Sequence, residues 1–204
     1  MRTSRIVWLA LLVSLSVLTG CDYYVLRWNP YRQDVVRLVA AQESDHVVDI
    51  GCEDGFWSYV FAREVGLDGL VYALDIEEQW VTYVQEQSEK RGLSQIEAIE
   101  CLPDDTTLED ESVDVIFFAN TIHHIDDIPA YTKHLYRILK PGGRYIVIDE
   151  RTGRWGHNSD PDEISRISAE AGFVVSKRHR FVGTKRYLVV FVKPGDDAVL
   201  VTHP

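Results

Sequence analysis

Along residues 46–193, short unbroken apolar runs alternate with longer stretches in which apolar positions recur every three or four residues. The first rhythm suits buried strands and the second amphipathic helices. Gln33 to Gln42 carries Val35, Val36, Leu38 and Val39 at helical spacing, and His46 to Ile50 is an apolar run that ends in glycine. A helix over Phe56–Val65, a strand over Leu70–Asp75 and a long helix over Glu78–Arg91 follow, the last stopped by Gly92 as a carboxyl-terminal cap. Ile96–Glu100 reads as a weaker strand, and Val113–Ala119 as a strand covered on both faces. Pro129–Leu139 reads as a helix closed by Lys140-Pro141-Gly142-Gly143, and Tyr145–Glu150 as the fifth strand. A helix over Pro161–Ala171 stops at Gly172. Val174–Phe181 and Tyr187–Lys193 then lie close enough in sequence to pair as a hairpin. Strands and helices in alternation with short links predict an α/β fold, a doubly wound, mostly parallel sheet with helices on both faces.

The amino terminus has a different pattern. Arg2 and Arg5 precede an apolar run from Ile6 to Leu18, which is shorter than the roughly 20 residues a membrane-spanning helix needs. Leu18-Thr19-Gly20-Cys21 resembles a bacterial lipobox, so residues 1–20 are expected to be a signal peptide and Cys21 a lipid-bearing amino terminus. An ordinary signal peptide or a buried apolar helix is the competing reading. Residues 21–31 then form a tether, 32–193 the folded domain and 194–204 a tail. The expected location is the membrane surface, anchored without crossing it. Asp22 resembles a signal for retention at the inner membrane, facing the periplasm.

Composition narrows the partners. The 204 residues hold 21 Lys and Arg against 32 Asp and Glu, a formal net charge of −11. Such a surface repels phosphate backbones, so nucleic acid is not an expected partner unless the cations cluster. Three cysteines, Cys21, Cys52 and Cys101, do not make a disulfide framework. Nothing in the chain indicates an oligomeric state.

In a sheet of this kind ligands bind beyond the carboxyl ends of the strands. The turn Asp49-Ile50-Gly51-Cys52-Glu53-Asp54-Gly55-Phe56 follows the first strand, and its glycines let a ligand approach the backbone. Asp75, 24 residues after Gly51, ends the second strand, where a carboxylate accepts hydrogen bonds from a ribose diol. A nicotinamide enzyme calls for G-x-G-x-x-G, whereas Glu53 and Phe56 stand where two of those glycines belong. A dehydrogenase is therefore the poorer reading.

From Val47 to Lys193 the chain resembles the class I S-adenosylmethionine-dependent methyltransferases. Asp49, Gly51 and Gly55 match their first motif, an acid followed by x-G-x-G-x-G, and Asp75 matches the acid that holds the ribose hydroxyls. Val113 to Asn120 followed by His123-His124 resembles their fourth-strand motif, Leu139 to Arg144 the turn before the fifth strand, and Ala171-Gly172-Phe173 the entry to a closing hairpin. The resemblance implies strand order 3-2-1-4-5-7-6 with the seventh strand antiparallel. It also implies S-adenosyl-L-methionine as cofactor, held by Asp49, Gly51, Cys52, Glu53, Gly55, Asp75, Ile76, Asp104 and Asn120. The implied activity is methyl transfer to a small molecule.

Two positions depart from that pattern. Glu53 replaces the middle glycine, and Leu102 stands where an acid often follows the third strand, leaving Asp104 or Asp105 to reach an adenine amino group. A Glu53 carboxylate about 5 Å from the cofactor carboxylate costs about 3 kcal/mol at an effective dielectric near 20; turned toward the ammonium or sulfonium it helps. In-line methyl transfer asks the protein mainly to align the nucleophile and exclude water, with a general base only where the nucleophile starts protonated. His123 and His124 are the candidate bases, against the alternative that one caps the next helix and the other packs. Adjacent His123, His124, Asp126 and Asp127 rarely converge on one ion, so no metal is expected. Cys52 lacks a dedicated base and reads as a packed residue. A methyltransferase-fold lipoprotein without activity, serving as a binding or scaffold module, is the alternative function.

Overall fold

The computed structural model describes residues 31–151 and 159–195. The predicted signal peptide, Cys21 and its tether through residue 30, the loop 152–158 and the tail from 196 lie outside the described residues. The chain divides into two compact units, residues 1–35 and 36–204. Of the first, Tyr31–Val35 form the opening of a helix, α1 (Tyr31–Val39). That helix begins two residues earlier than the apolar spacing predicts and stops at Ala40, whose φ of +51° leaves the helical region.

The second unit is built on one seven-stranded sheet. Its strands are β1 (His46–Ile50), β2 (Leu70–Asp75), β3 (Ile96–Glu100), β4 (Val113–Ala119), β5 (Leu139–Glu150), β6 (Val174–Arg180) and β7 (Arg186–Val192). They stand in the order β3-β2-β1-β4-β5-β7-β6. The first five are parallel, and β7 runs antiparallel to both β5 and β6. The helices are α2 (Phe56–Val65), α3 (Glu78–Arg91), α4 (Ile128–Ile138) and α5 (Pro161–Glu170). Among the described residues no helix is long and apolar enough to cross a membrane.

Adjacent phenylalanines in β4 show why its apolar run is unbroken. Successive side chains on a strand point to opposite faces. Phe117 meets Phe61 and Trp57 of α2 at ring-centroid distances of 4.8 and 5.4 Å, while Phe118 meets Tyr131 of α4 and Tyr145 of β5 at 6.2 and 5.8 Å. Both faces of the central strands are therefore core, as parallel sheets require. Gly92 caps the end of α3 in the left-handed conformation as expected, whereas the start of α4 is capped by Asp127, which accepts from the Ala130 N–H, and not by a histidine.

The fifth strand differs from the sequence expectation. It begins at Leu139 and takes in the Lys140-Pro141-Gly142-Gly143 turn instead of starting at Tyr145. The Gly142 N–H donates to the Lys193 carbonyl at 2.9 Å and the Lys193 N–H to the Gly143 carbonyl at 3.0 Å, so the segment is paired backbone with a register shift against β4. Gly142 adopts φ +80°, which a glycine permits without steric cost.

Candidate active site

At the carboxyl end of β1 the chain reverses over Gly51–Gly55 before α2 begins. Gly51 takes φ +71° and donates its N–H to the Leu74 carbonyl at 2.8 Å; a β-carbon there would lie 2.4 Å from Thr121 Cγ2. Only glycine fits that crossing of the β1 and β4 loops. Glu53 has φ +44°, the left-handed conformation for which glycine is ordinarily selected. The loop shape thus survives the replacement of the motif's middle glycine, at a cost of roughly 1–2 kcal/mol in backbone strain. The Glu53 side chain is exposed, and its N–H donates to Asp75 Oδ2 at 3.0 Å.

Asp75 is held from both sides. The Glu77 N–H donates to its other oxygen at 3.1 Å, so each oxygen keeps acceptor capacity with its direction set by one backbone amide. Asp49 lies beneath the loop, almost fully buried, and accepts the Ser58 hydroxyl at 2.6 Å. Burial pushes its carboxyl up to about 7, against the lowering effect of the Ser58 hydrogen bonds.

These elements border a cavity of about 360 Å³, within the roughly 300–1,000 Å³ common to small-molecule sites. Of the residues singled out in the sequence, Gly51, Glu53, Asp75, Ile76, Asn120 and His124 line it. Asp49, Cys52 and Gly55 stand behind the wall instead. Gly55 packs on Tyr59 and Val84, and the buried Cys52 has its thiol pushed far up by desolvation, which leaves it inert. Asp104 and Asp105 are not among the lining residues; the Asp105 carboxylate turns to the Thr107 N–H at 2.7 Å.

Leu102 takes a place in the wall. It and Ile76 follow the ends of the paired strands β3 and β2, and both are large apolar side chains left 56% and 57% exposed. Exposed apolar residues at the mouth of a cavity suit the faces of a flat ring better than they suit water. The absent acid is thus exchanged for apolar contact.

The two histidines part company. His124 lines the cavity, whereas His123 Nδ1 lies 2.8 Å from Asp149 Oδ2. The Ser159 hydroxyl donates to the same oxygen at 2.7 Å and shares a hydrogen bond with the Tyr187 hydroxyl. The Glu150 N–H donates to Asp149 Oδ1 at 2.7 Å. A carboxylate can only accept, so Nδ1 carries the hydrogen of this contact and the ring orientation is fixed by it. The His123 and His124 rings sit 4.3 Å apart between centroids, so the anchored ring supports the cavity-facing one. Asp149 escaped the sequence reading; the signal available for it was a lone carboxylate in the otherwise apolar end of β5. Among the described residues no cluster of His, Cys, Asp and Glu is placed to hold a metal.

S-adenosylmethionine fits this donor set. It carries an ammonium, a sulfonium and a carboxylate, one net positive charge, and among the described residues the cavity wall holds the three carboxylates of Glu53, Asp75 and Glu77 with no Lys or Arg. The paired acceptors of Asp75 suit a ribose diol.

Comparison with known proteins agrees with the geometry. Residues 41–173 match a family model described as a methyltransferase domain. Demethylmenaquinone methyltransferases of Listeria welshimeri and Geobacillus kaustophilus are 28% and 27% identical over 58% and 61% of this chain, and over 50% and 52% of their own length. The chain spans about half the length of the curated relatives it matches. Among solved structures, an S-adenosylmethionine-dependent methyltransferase from Aquifex aeolicus superposes with a TM-score of 0.75 at 24% identity, covering 89% of this chain and 97% of that one. The cyclase SpnF superposes at 0.72 with 12% identity, covering 80% of this chain and 79% of its own, so the fold alone does not name a reaction. With the family model covering well over half of its residues, this chain belongs to the methyltransferase domain family.

Proposed function

We propose that the protein transfers a methyl group from S-adenosylmethionine to a small, ring-bearing acceptor. The observation that carries this reading is Asp75, a carboxylate whose two oxygens are each set by one backbone amide at the lip of an acidic cavity. Ile76 and Leu102 offer apolar contact to the adenine ring, and Gly51 lets the ligand lie against the backbone. The family match at residues 41–173 supports the reaction class, and the matched demethylmenaquinone methyltransferases support a ring-bearing acceptor. When bound, S-adenosylmethionine supplies an electrophilic methyl group on sulfur. The chain's part is to seat the acceptor in line, exclude water and, for an acceptor that starts protonated, receive the proton. His124 is the group that receives it, and His123, held by Asp149, is a positioning residue. A lipid on Cys21, tethering the domain to a membrane surface, belongs to the same proposal and draws on the residue pattern of positions 2–21 alone.

Calorimetry of the full chain with S-adenosylmethionine and its demethylated product tests the reading. Saturable binding of both is expected, and Asp75→Ala is expected to weaken it about a hundredfold, the loss of two charge-assisted hydrogen bonds. Failure of the wild-type chain to bind either compound ends the reading in favour of a scaffold role.

A further inference from the structure

A second cavity, of about 220 Å³, opens at the other side of the same rim, and its lining is opposite in sign. Arg151, Arg178, Arg180, Lys185 and Arg186 contribute five cations, and among the described residues no carboxylate lines it. The concentration is unusual for this chain: residues 171–195 hold six Lys and Arg and no Asp or Glu, leaving 15 cations against 32 carboxylates elsewhere. Strand pairing explains the clustering. Glu150 at the end of β5 pairs with Arg186, and Arg180 at the end of β6 pairs with Tyr187, so the β6–β7 turn returns to the carboxyl-terminal edge of the parallel strands.

Not all of this charge is compensated. Asp162 of α5 lies 2.5 Å from Arg178 and 3.7 Å from Arg151, and the buried Arg186 donates to the Asn120 side chain. Arg180 and Lys185, both exposed, have no ion-pair partner among the described residues. Two uncompensated cations beside three more in a concave site focus a positive potential on a volume with room for a phosphate group and part of what carries it. Gathering like charges without a counterion costs stability, which a bound anion recovers.

We infer that this cavity binds a phosphate group, presented either by a free phosphorylated compound or by a phospholipid headgroup, with Arg180 and Lys185 as its principal contacts. Planar guanidinium forks bind phosphate bidentately and an ammonium adds a point charge, so both residue types suit the ligand. The inference is independent of methyl transfer: it uses neither Asp75 nor the acidic cavity.

The test uses the full chain, the double variant Arg180→Ala/Lys185→Ala, inorganic phosphate, and vesicles of phosphatidylglycerol or phosphatidylcholine. Thermal shift at matched ionic strength with chloride reads free phosphate, and vesicle co-sedimentation reads the headgroup. The wild-type chain is expected to bind one of the two phosphate sources saturably, and the double variant at least tenfold more weakly, with a melting temperature in chloride alone no lower than that of the wild type. Stabilisation by phosphate without preference for phosphatidylglycerol identifies a soluble ligand; preference for phosphatidylglycerol over phosphatidylcholine that the double variant loses identifies a lipid. Apolar amino-terminal contacts with vesicles are common to both proteins and cancel in the comparison. The inference is overturned if neither source binds beyond the chloride or phosphatidylcholine control, or if the double variant binds as the wild type does.

Discussion

The two cavities on the carboxyl-terminal rim share one sheet and differ in sign. Three carboxylates line the one beside β1–β3, and five cations line the one beside β5–β7. The strands supply the same scaffold to both, parallel on one side and closed by an antiparallel hairpin on the other. What sets the charge is the residues at or next to the strand ends, Asp75 and Glu77 in one case and Arg151 and Lys185 in the other. Backbone geometry determines where a ligand can lie, and the loops determine which ligand is attracted. A net-cationic sulfonium compound and a phosphate would therefore be drawn to separate places on one edge of the molecule.

The largest difference expected between the two sides is in their response to pH. Burial raises the Asp49 carboxyl, beneath the acidic cavity, from the ordinary 3.8 to about 7. The folded protein holds a proton there that the unfolded chain releases near pH 4. Stability from this group is full at low pH and is lost as pH rises from about 4 to about 7, on the order of 4 kcal/mol in all. Asn at this position keeps an acceptor for the Ser58 hydroxyl and carries no charge. Urea unfolding of Asp49→Asn is expected to lack the wild-type decline across that window and to show the more stable protein above pH 7. A wild-type slope in the variant would assign the titration elsewhere.

The seam between the two cavities comes next. Arg186 lines the basic cavity and donates to Asn120, which lines the acidic one. Asn120 itself holds φ +62° and donates its N–H to the Ile148 carbonyl at 2.9 Å. Arg186→Met keeps much of the apolar stem and removes the charge-assisted hydrogen bond, so a loss of about 2 kcal/mol is expected in chemical unfolding. Stability equal to wild type would mean that the two sides are joined by the strands alone.

Glu53 gives the smallest effect. Glycine there removes the left-handed strain but adds chain entropy to the unfolded state, and the two nearly offset. Glu53→Gly is expected to raise stability by up to about 1 kcal/mol in thermal unfolding. Because the amide at 53 still donates to Asp75, binding at that carboxylate should persist. Destabilisation instead would show that the Glu53 side chain contributes contacts that outweigh its strain.

Much of the architecture could be read from the residues in order. The continuous run Val113–Ala119 marked a strand buried on both faces, Gly92 the end of a helix, and the turn after β1 with Asp75 a place where Gly51, Glu53 and Asp75 border a cavity. The left-handed φ of Glu53 was hidden, because an amino-acid name does not state the backbone conformation it is forced into. So was the role of Leu102, which looked like a lost acid and is part of an apolar wall. The antiparallel seventh strand came from family resemblance, since the apolar pattern of β7 is the same in either direction.

Taken alone, then, the sequence determined the element types and order, the glycine-bearing turn after β1 and the placement of Asp75 at a strand end. These follow from hydrophobic period and backbone sterics, which act over a few neighbouring residues. Tertiary structure alone decided that His123 meets Asp149 26 positions away and that Arg186 meets Asn120 66 positions away. It also decided that the cations of β6 and β7 gather around one cavity at the rim where the acids gather around another. Those pairings depend on strand register, which many weak contacts across the whole sheet set together and no local stretch of chain encodes.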